Sequence, residues 1–448
     1  MKRILTIAGS DSGGGAGIQA DLKTITVLGG FGMSAITALT AQNTVGVQEI
    51  VELDVGFVKE QIDSVLSDIG ADAIKTGMLA NSEIVRGVAE KIRQYAVEKV
   101  VIDPVMVAKS GDALLKKEAQ ETVRRELLPL CYLVTPNLPE ASVLSGLEVK
   151  GLVDMKKAAK VIHQLGARNV LVKGGHLPGS PIDLLFDGQR FHEFEGERIR
   201  TENTHGTGCT YSAAIATELA KGEPLLEAIE KAKAFMTIAL RFSLDIGKGH
   251  GPTNPYAVIS REIERYRVIE ALEDAISLLR GAKVGMLIPE VQSNLGYALP
   301  YAEMSEDVAA FPGRIIRVGE SVEIITGPKF GASRHIASII LALMKHDPEY
   351  RSAMNIRYAE EVLQSCSALN YVVRSFDRKQ EPRSIKEREG SSLEWGTGTV
   401  LMKSAQVPDI IYDEGDQGKE AMIRVIGRHP REVIEKVVRI HERVTNLR

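Results

Sequence analysis

Cysteine is scarce in this 448-residue chain. Cys131, Cys209 and Cys366 are its three cysteines, and they stand too far apart for a disulfide framework or a C-x-x-C metal or redox motif. A reducing, cytoplasmic setting is expected. Long hydrophobic runs are also missing: the apolar stretch Ile336 to Met344 falls well short of the roughly 20 residues a spanning helix needs. The short run after Met1-Lys-Arg3 is interrupted by Asp11, unlike a secretory leader, so no membrane association is expected. Neither sign of charge dominates. With 55 Lys plus Arg against 59 Asp plus Glu the formal charge is −4, which advertises no polyanion-binding surface and no nucleic-acid partner.

The balance of 44% hydrophobic and 25% charged residues is that of an ordinary globular protein with a sizeable core. At roughly 150 residues per domain the length suggests about three domains or two larger ones. Glycine is in excess: 41 residues, about 9%, against a usual ~7%. Five of them fall among residues 9 to 17.

Up to about residue 250, short β-rich runs (Arg3–Ala8, Ala73–Thr76, Val100–Pro104, Tyr132–Thr135, Val170–Lys173) alternate with stretches of helical periodicity (Val58–Ile69, Ser82–Tyr95, Met155–Leu165). This alternation predicts right-handed crossovers and a mostly parallel sheet covered on both faces, with ligands outside the carboxyl ends of the strands. Leu184–Phe186, Asp187-Gly188 and Phe191–Phe194 predict a hairpin with a type I′ turn. The Gly/Pro-rich stretch Gly247–Pro255 breaks the pattern. From Ser260 to Arg280, Ile263, Tyr266, Ile269, Leu272, Ile276 and Leu279 define one apolar helix face, with Gly281 as C-cap. The boundaries expected are a first domain over residues 1–258, a linker and connecting helix over 259–281, and a second mixed α/β domain over 282–448. Within the latter, strands are read at Val322–Thr326, Asn355–Tyr358, Tyr371–Ser375 and Asp409–Tyr412, and helices at Ser333–Lys345 and Arg431–Val444.

The loop from Ala8 to Asp21 follows a strand and opens a helix, and its glycines let backbone N–H groups approach a phosphate closely. Its spacing is neither that of a dinucleotide loop nor that of a Walker loop. Thr204-His-Gly-Thr-Gly-Cys-Thr210 precedes an Ala-rich helix, whose start would make an anion hole for a developing phosphoryl charge. Cys209 lies in its first turn, where the helix terminus is expected to lower the thiol pKa, making it a base or a polar lining group. Asn137 and Glu140 follow another strand; Asn137 could orient phosphate oxygens and Glu140 hold Mg²⁺ through water, or simply sit as a helix N-terminal charge. Lys173 before Gly174-Gly175 suits a phosphate, and Asp103-Pro104 ends a further strand.

In this order and spacing, Gly9–Asp21, Asn137-x-x-Glu140, Lys173-Gly-Gly175 and Gly206-Thr-Gly-Cys209 resemble the ribokinase-like superfamily, and specifically the hydroxymethylpyrimidine and hydroxymethylpyrimidine-phosphate kinases of thiamine biosynthesis. Thr37–Asn43, Lys75–Leu79, Asp103–Met106 and Gly249–Pro252 extend the resemblance over residues 1 to about 256. It implies a three-layer sandwich with a mostly parallel sheet, ATP as co-substrate, Mg²⁺, and a homodimer. It also implies Gln42 on the aminopyrimidine edge, with Gly9, Ala16, Asp21, Met78 and Val105 completing that pocket. Asn137, Lys173, Gly206, Thr207 and Gly208 are then the ATP side, Asp103 and Glu140 the metal side, and Cys209 stands where other ribokinase relatives carry an Asp base. Pyridoxal, also a hydroxymethyl-bearing ring, is the rival substrate.

In the second half, Arg314 follows Phe311-Pro-Gly313 and His335 falls in the first turn of an apolar helix with Ser333 as N-cap. An Arg fork suits a diphosphate, and such a His can donate to a leaving group. Gly331–His335, Met354–Tyr358, Trp395-Gly396 and Pro408–Glu420 are similar to the ThiN-type thiamine-phosphate synthase domain over about residues 275–448. The resemblance implies thiazole phosphate as second substrate and Arg314 and His335 as catalytic residues. Arg357, Asp413, Glu414 and Asp416 are candidates for substrate or metal contacts, or for structural salt bridges. The alternative is a non-catalytic thiamine-phosphate sensor, against which stand the lack of a basic helix-turn-helix and the presence of both Arg314 and His335.

Overall fold

The computed structural model describes residues 1–106, 117–175, 177, 179–382, 385, 391–404, 406–416 and 418–446. Two compact units divide the chain, Met1–Ile259 and Ser260–Arg448.

The first unit is a three-layer α/β sandwich. Its strands are β1 Arg3–Asp11, β2 Phe31–Gln42, β3 Val47–Glu52, β4 Ala73–Thr76, β5 Val100–Ile102, β6 Leu133–Val134, β7 Val170–Val172, β8 Ile182–Phe186 and β9 Phe191–Glu195. They form one sheet in the order β3-β2-β1-β4-β5-β6-β7-β8-β9, parallel from β2 through β7, with β3, β8 and β9 antiparallel at the edges. Successive residues pack on opposite faces. Leu5, Ile74, Val100 and Val170 join helices α2 (Val55–Asp68), α3 (Ser82–Tyr95), α5 (Leu138–Ser145) and α6 (Leu152–Gln164) on one side. Ile4, Ala73, Val101 and Leu171 meet α1 (Gly17–Val27), α7 (Thr207–Lys221) and α8 (Leu225–Arg241) on the other. Burial on both faces explains why these strands read as unbroken apolar runs rather than alternations. Helix α4 (Lys117–Thr122) lies between β5 and β6 in the chain.

Strands β2 and β3 carry no clean periodic signal and were not expected. The β8–β9 hairpin forms, but its turn is not type I′, because of Gly188 and Gln189 only Gly188 has positive φ (+90°). Strands β5 and β7 end at Ile102 and Val172, before the expected Pro104 and Lys173, so the chemistry-bearing residues stand just past the strand ends.

The second unit has a seven-stranded sheet built from β10 Leu295–Ala298, β11 Val308–Ala310, β14 Lys329–Phe330, β15 Ser352–Arg357, β16 Val373–Ser375, β17 Ile410–Asp413 and β18 Met422–Gly427. Their order is β14-β11-β10-β15-β18-β17-β16, antiparallel except for β16 against β17, and β12 (Ile315–Val318) pairs separately with β13 (Ser321–Ile324). Helices α11 (Glu360–Ala368) and α13 (Pro430–Asn446) cover one face together with Val268, Leu272, Ala275, Ile276 and Leu279 of α9 (Ala257–Gly281). Helices α10 (Arg334–His346) and α12 (Ser391–Met402) lie on the other. The α9 face differs from the expected one: Ile263 and Tyr266 remain exposed, and Val268 and Ala275 take part in the core. Among the described residues no helix is long and apolar enough to cross a membrane.

Candidate functional site

The glycine loop of the first unit is organised by a residue that sequence reasoning passed over. Asp11, the last residue of β1, is buried and accepts from the backbone N–H of Gly13 (2.8 Å), Gly15 (3.0 Å) and Ala16 (2.8 Å). His205, from the second glycine motif, places Nε2 2.8 Å from the same carboxylate. Burial alone would raise the Asp11 pKa; the His205 hydrogen bond and the loop N–H groups outweigh it and hold the carboxyl below its ordinary value. The two motifs thereby become one wall. Gly15 is required there, because a Cβ would lie 2.3 Å from the His205 ring. Gly206, at φ +79°, has no room either, its Cβ position being 1.8 Å from the Gly15 carbonyl oxygen. The signal for Asp11 was an acid embedded among glycines, with Ser on either side.

Of the expected pocket residues, Ala16 and Gln42 meet this wall directly. Gln42 Nε2 is 3.5 Å from His205 Nε2, its Oε1 accepts from Thr40 Oγ1, and its backbone is pinned to Ser12. A Cβ at Gly9 would lie 3.1 Å from Met78 Sδ, and Val105 directly follows Asp103-Pro104. Asp21 has no exposed surface: it stands behind the pocket, tied to Thr6 Oγ1 (2.6 Å) and to Lys75 Nζ (2.8 Å), which is itself fully buried. Burial opposes the charge of Lys75, but Asp21 and Asp103 around it keep it an ammonium.

Past the neighbouring strand ends, Lys173 Nζ reaches Asp103 Oδ1 at 2.8 Å, and the Cβ position of Gly208 would be 3.4 Å from both Asp103 Oδ2 and Lys173 Nζ. The start of α7 therefore faces this ion pair, at a distance where a Cβ would make ordinary contact with both groups. Asn137 and Glu140 cap α5 reciprocally: Glu140 N–H donates to Asn137 Oδ1 (2.9 Å) and Asn137 N–H to Glu140 Oε2 (2.8 Å). Burial pushes the Glu140 carboxyl up to about 7; Lys173 opposes this and the nearby Asp103 adds to it. Two mutually repelling carboxyl groups fit a divalent cation held largely by substrate phosphates and water, although among the described residues no three acidic, His or Cys side chains converge as a metal cage.

Cys209 reverses its expectation. It keeps some accessible surface, but desolvation of the sulfur pushes the thiol up to about 11, against the pull of the Lys75 ammonium and the Gly17 N–H; Asp21 and Asp103 add to the rise. The helix terminus does not win. At neutral pH Cys209 is a thiol.

In the second unit a cavity of about 620 Å³ opens between the sheet and helices α10 and α12. Arg314, Ser333 and His335, widely separated in sequence, share its lining. Ser333 accepts from the Ile336 N–H as the cap of α10. Arg314 and Gln292, both on the lining, hold positive φ (+57° and +67°), a strain of about 1–3 kcal/mol each of the kind that accumulates at functional sites. Arg378, Lys419 and Arg424 line the same cavity and were not anticipated. A charged residue in the middle of the apolar run Met422–Gly427 was the overlooked signal for Arg424. Of the four acidic and basic candidates, Arg357 and Asp413 flank Met422 in register on the neighbouring strands, but their side chains have separate partners. Asp413 is fully buried between Arg378 (2.5 Å) and Arg424 (2.6 Å), Arg357 pairs with Glu361 at 3.4 Å, and Glu414 is exposed. With both oxygens engaged by guanidinium groups, Asp413 is a structural salt bridge rather than a magnesium ligand.

A mostly parallel sheet whose strand ends bring a glycine loop, a lysine–carboxylate pair and a glycine-preceded helix start together is the framework of a ribokinase-like phosphotransferase. The chain belongs to the phosphomethylpyrimidine kinase family, whose model, Phosphomethylpyrimidine kinase, matches residues 11–254. Residues 271–439 match a second family, Thiamine-phosphate synthase ThiN. The thiamine biosynthesis bifunctional protein ThiED of Geobacter sulfurreducens is 54% identical over 252 residues, 56% of this chain and 51% of that one; the chain thus spans about half the length of this relative. The hydroxymethylpyrimidine/phosphomethylpyrimidine kinase of Bacillus subtilis is 50% identical over 257 residues, 57% of this chain and 95% of that protein. Among solved structures, an ADP complex of Bacillus subtilis pyridoxal kinase has TM-score 0.55 and 43% identity, covering 58% of this chain and 99% of that one. The pyridoxal kinase of Staphylococcus aureus in complex with AMP-PCP and pyridoxal has TM-score 0.54 and 38% identity, covering 58% and 94%.

Proposed function

We propose that this chain is a bifunctional enzyme of thiamine biosynthesis: an ATP-dependent kinase converting hydroxymethylpyrimidine to its mono- and then diphosphate, and a synthase joining that diphosphate to thiazole phosphate. The observation that carries the reading is the match of both units, each to a different family of the same pathway and each around a site able to handle phosphate. In the first step the substrate hydroxyl oxygen attacks the γ-phosphorus in line and ADP leaves; the monophosphate then attacks a second ATP. Such transfer depends mainly on positioning and on stabilising charge. Gln42 would read the aminopyrimidine edge, with Gly9, Ala16, Met78 and Val105 around the ring and Asp21 acting from behind through Lys75. Lys173, Asn137 and the N–H groups of Gly206, Thr207 and Gly208 would take the phosphates. Asp103 and Glu140 would hold Mg²⁺, which when bound neutralises phosphate charge. Cys209, as a neutral thiol, would line the anion hole.

In the second unit the C–O bond to the diphosphate breaks, pyrophosphate leaves, and thiazole phosphate adds at the pyrimidine methylene. Arg314 would stabilise the departing charge and His335 donate to it. A cytoplasmic homodimer belongs to the same proposal, read by light scattering and fractionation. Purified protein supplied with ATP, Mg²⁺, hydroxymethylpyrimidine and thiazole phosphate should yield thiamine phosphate; kinase products alone would favour a sensor role for the second unit. The resemblance of the first unit to pyridoxal kinase structures gives a second reading, and phosphorylation of pyridoxal but not of hydroxymethylpyrimidine would replace the first.

A further inference from the structure

Two different anions must enter the second unit if it is a synthase: a diphosphate that leaves and a phosphomonoester that stays on the product. We infer that Arg378 and Arg424, braced by Asp413, form the subsite for the phosphomonoester, apart from the Arg314 and His335 end that serves the diphosphate. The inference rests on the synthase reading for the identity of its ligand.

Charge is the first ground. Arg378 and Arg424 share one carboxylate, and among the described residues no other acid lies within ion-pair distance of either. The pair therefore carries one uncompensated positive charge on the wall of a cavity, with Arg424 1% exposed. An excess cation taken out of water is costly until an anion joins it. Lys419 does not alter the balance, because Glu381 lies 3.8 Å from its Nζ.

Hydrogen bonding is the second. Arg424 Nε is buried with no acceptor, while Nη2 is committed to Asp413. A tetrahedral phosphate, with several acceptor oxygens, matches an Arg fork with a free donor. The geometry is already set: the guanidinium carbons of Arg378 and Arg424 lie 5.8 and 5.3 Å from the centroid of the Phe376 ring, so little rotamer freedom remains to be lost on binding.

Position is the third. Arg314 donates to the Val291 carbonyl ahead of β10, whereas Arg424, in β18, donates to Asp413 at the end of β17. The two guanidinium groups are thus anchored on different segments of one cavity lining of about 620 Å³ and share no partner.

The test is a split between substrates. In Arg378→Gln the KM for thiazole phosphate should rise at least 30-fold, with the KM for the pyrimidine diphosphate and kcat within threefold of wild type. Arg378→Lys, which keeps the charge but not the fork, should recover part of the loss. Titration calorimetry with inorganic phosphate and with pyrophosphate supplies an arm free of turnover: Arg378→Gln should lose the first and keep the second. Equal losses for both substrates, or loss of pyrophosphate alone, would overturn the subsite. If Arg378→Gln does not fold, Arg378→Lys decides by the same split. Wild-type protein that forms no thiamine phosphate but binds thiazole phosphate through Arg378 would sink the synthase reading and leave the subsite. Normal synthesis with an unchanged KM in the variant would do the reverse.

Discussion

The ionisation of Cys209 separates two accounts of phosphoryl transfer and can be measured without substrate. With the thiol pushed up to about 11, about one molecule in a thousand is ionised at pH 8, whereas a free cysteine of pKa ~8.5 is about one-quarter ionised. That is a deficit of roughly 240-fold in thiolate. Higher basicity brings higher intrinsic nucleophilicity, and a Brønsted slope of ~0.4–0.5 over 2.5 units returns about tenfold. Iodoacetamide should therefore alkylate Cys209 about 20-fold more slowly than free cysteine at pH 8, and the rate should climb about tenfold per pH unit up to pH 10. Cys131 and Cys366 are buried, with thiols pushed up to about 12 by desolvation, so peptide mass spectrometry can follow Cys209 against a quiet background. A rate that levels off below pH 9 would refute the reasoning and restore an activated thiolate. In the neutral-thiol account Cys209→Ala lowers kinase kcat by less than the ~10²-fold floor for loss of a general base and leaves the synthase untouched.

Lys75→Met leaves the buried Asp21 carboxyl without its partner, which should cost about 3–5 kcal/mol. In a unit of this size that is a Tm drop of roughly 6–20 °C by calorimetry; adding Asp21→Leu should return most of it, and an additive second loss would contradict the pairing. Glu140 is raised to about 7 from an ordinary value near 4.5, so the folded state holds a proton that the unfolded chain releases. Its contribution is greatest below about pH 4.5 and declines as pH rises to about 7. Glu140→Gln keeps an acceptor for the Asn137 N–H, and denaturant titrations should show that decline flattened; an unchanged slope would remove Glu140 as its source. His335→Ala and Arg314→Ala should each abolish thiamine phosphate formation while kinase activity stays within twofold, and loss of both activities would argue against separable sites.

What could be read from the sequence was what local chemistry announces: glycine runs, strand ends, caps and apolar runs buried on both faces. Ala73–Thr76 coincides with its strand because every residue there is buried, whereas β2, which alternates between buried and half-exposed positions, gave too mixed a signal to be seen. What could not be read depends on distance in space. Asp11 meets His205 across 194 residues, and Asp413 acquires two guanidinium partners from 35 residues before and 11 after. The sign of the Cys209 shift follows the same rule. A helix start is visible in the sequence; the surroundings of the sulfur, with Gly17 and Asp21 of α1, Lys75 of β4 and Asp103 past β5, are assembled only by the fold, and desolvation outweighs the local field. The second unit repeats the contrast at the scale of a site: Arg314 and His335 could be named from their neighbours, but the cavity that joins them to Arg378 and Arg424 exists only once β18 has carried a charged side chain into the interior. An Arg in an apolar strand is therefore better read as the floor of an anion site than as an interruption of the core.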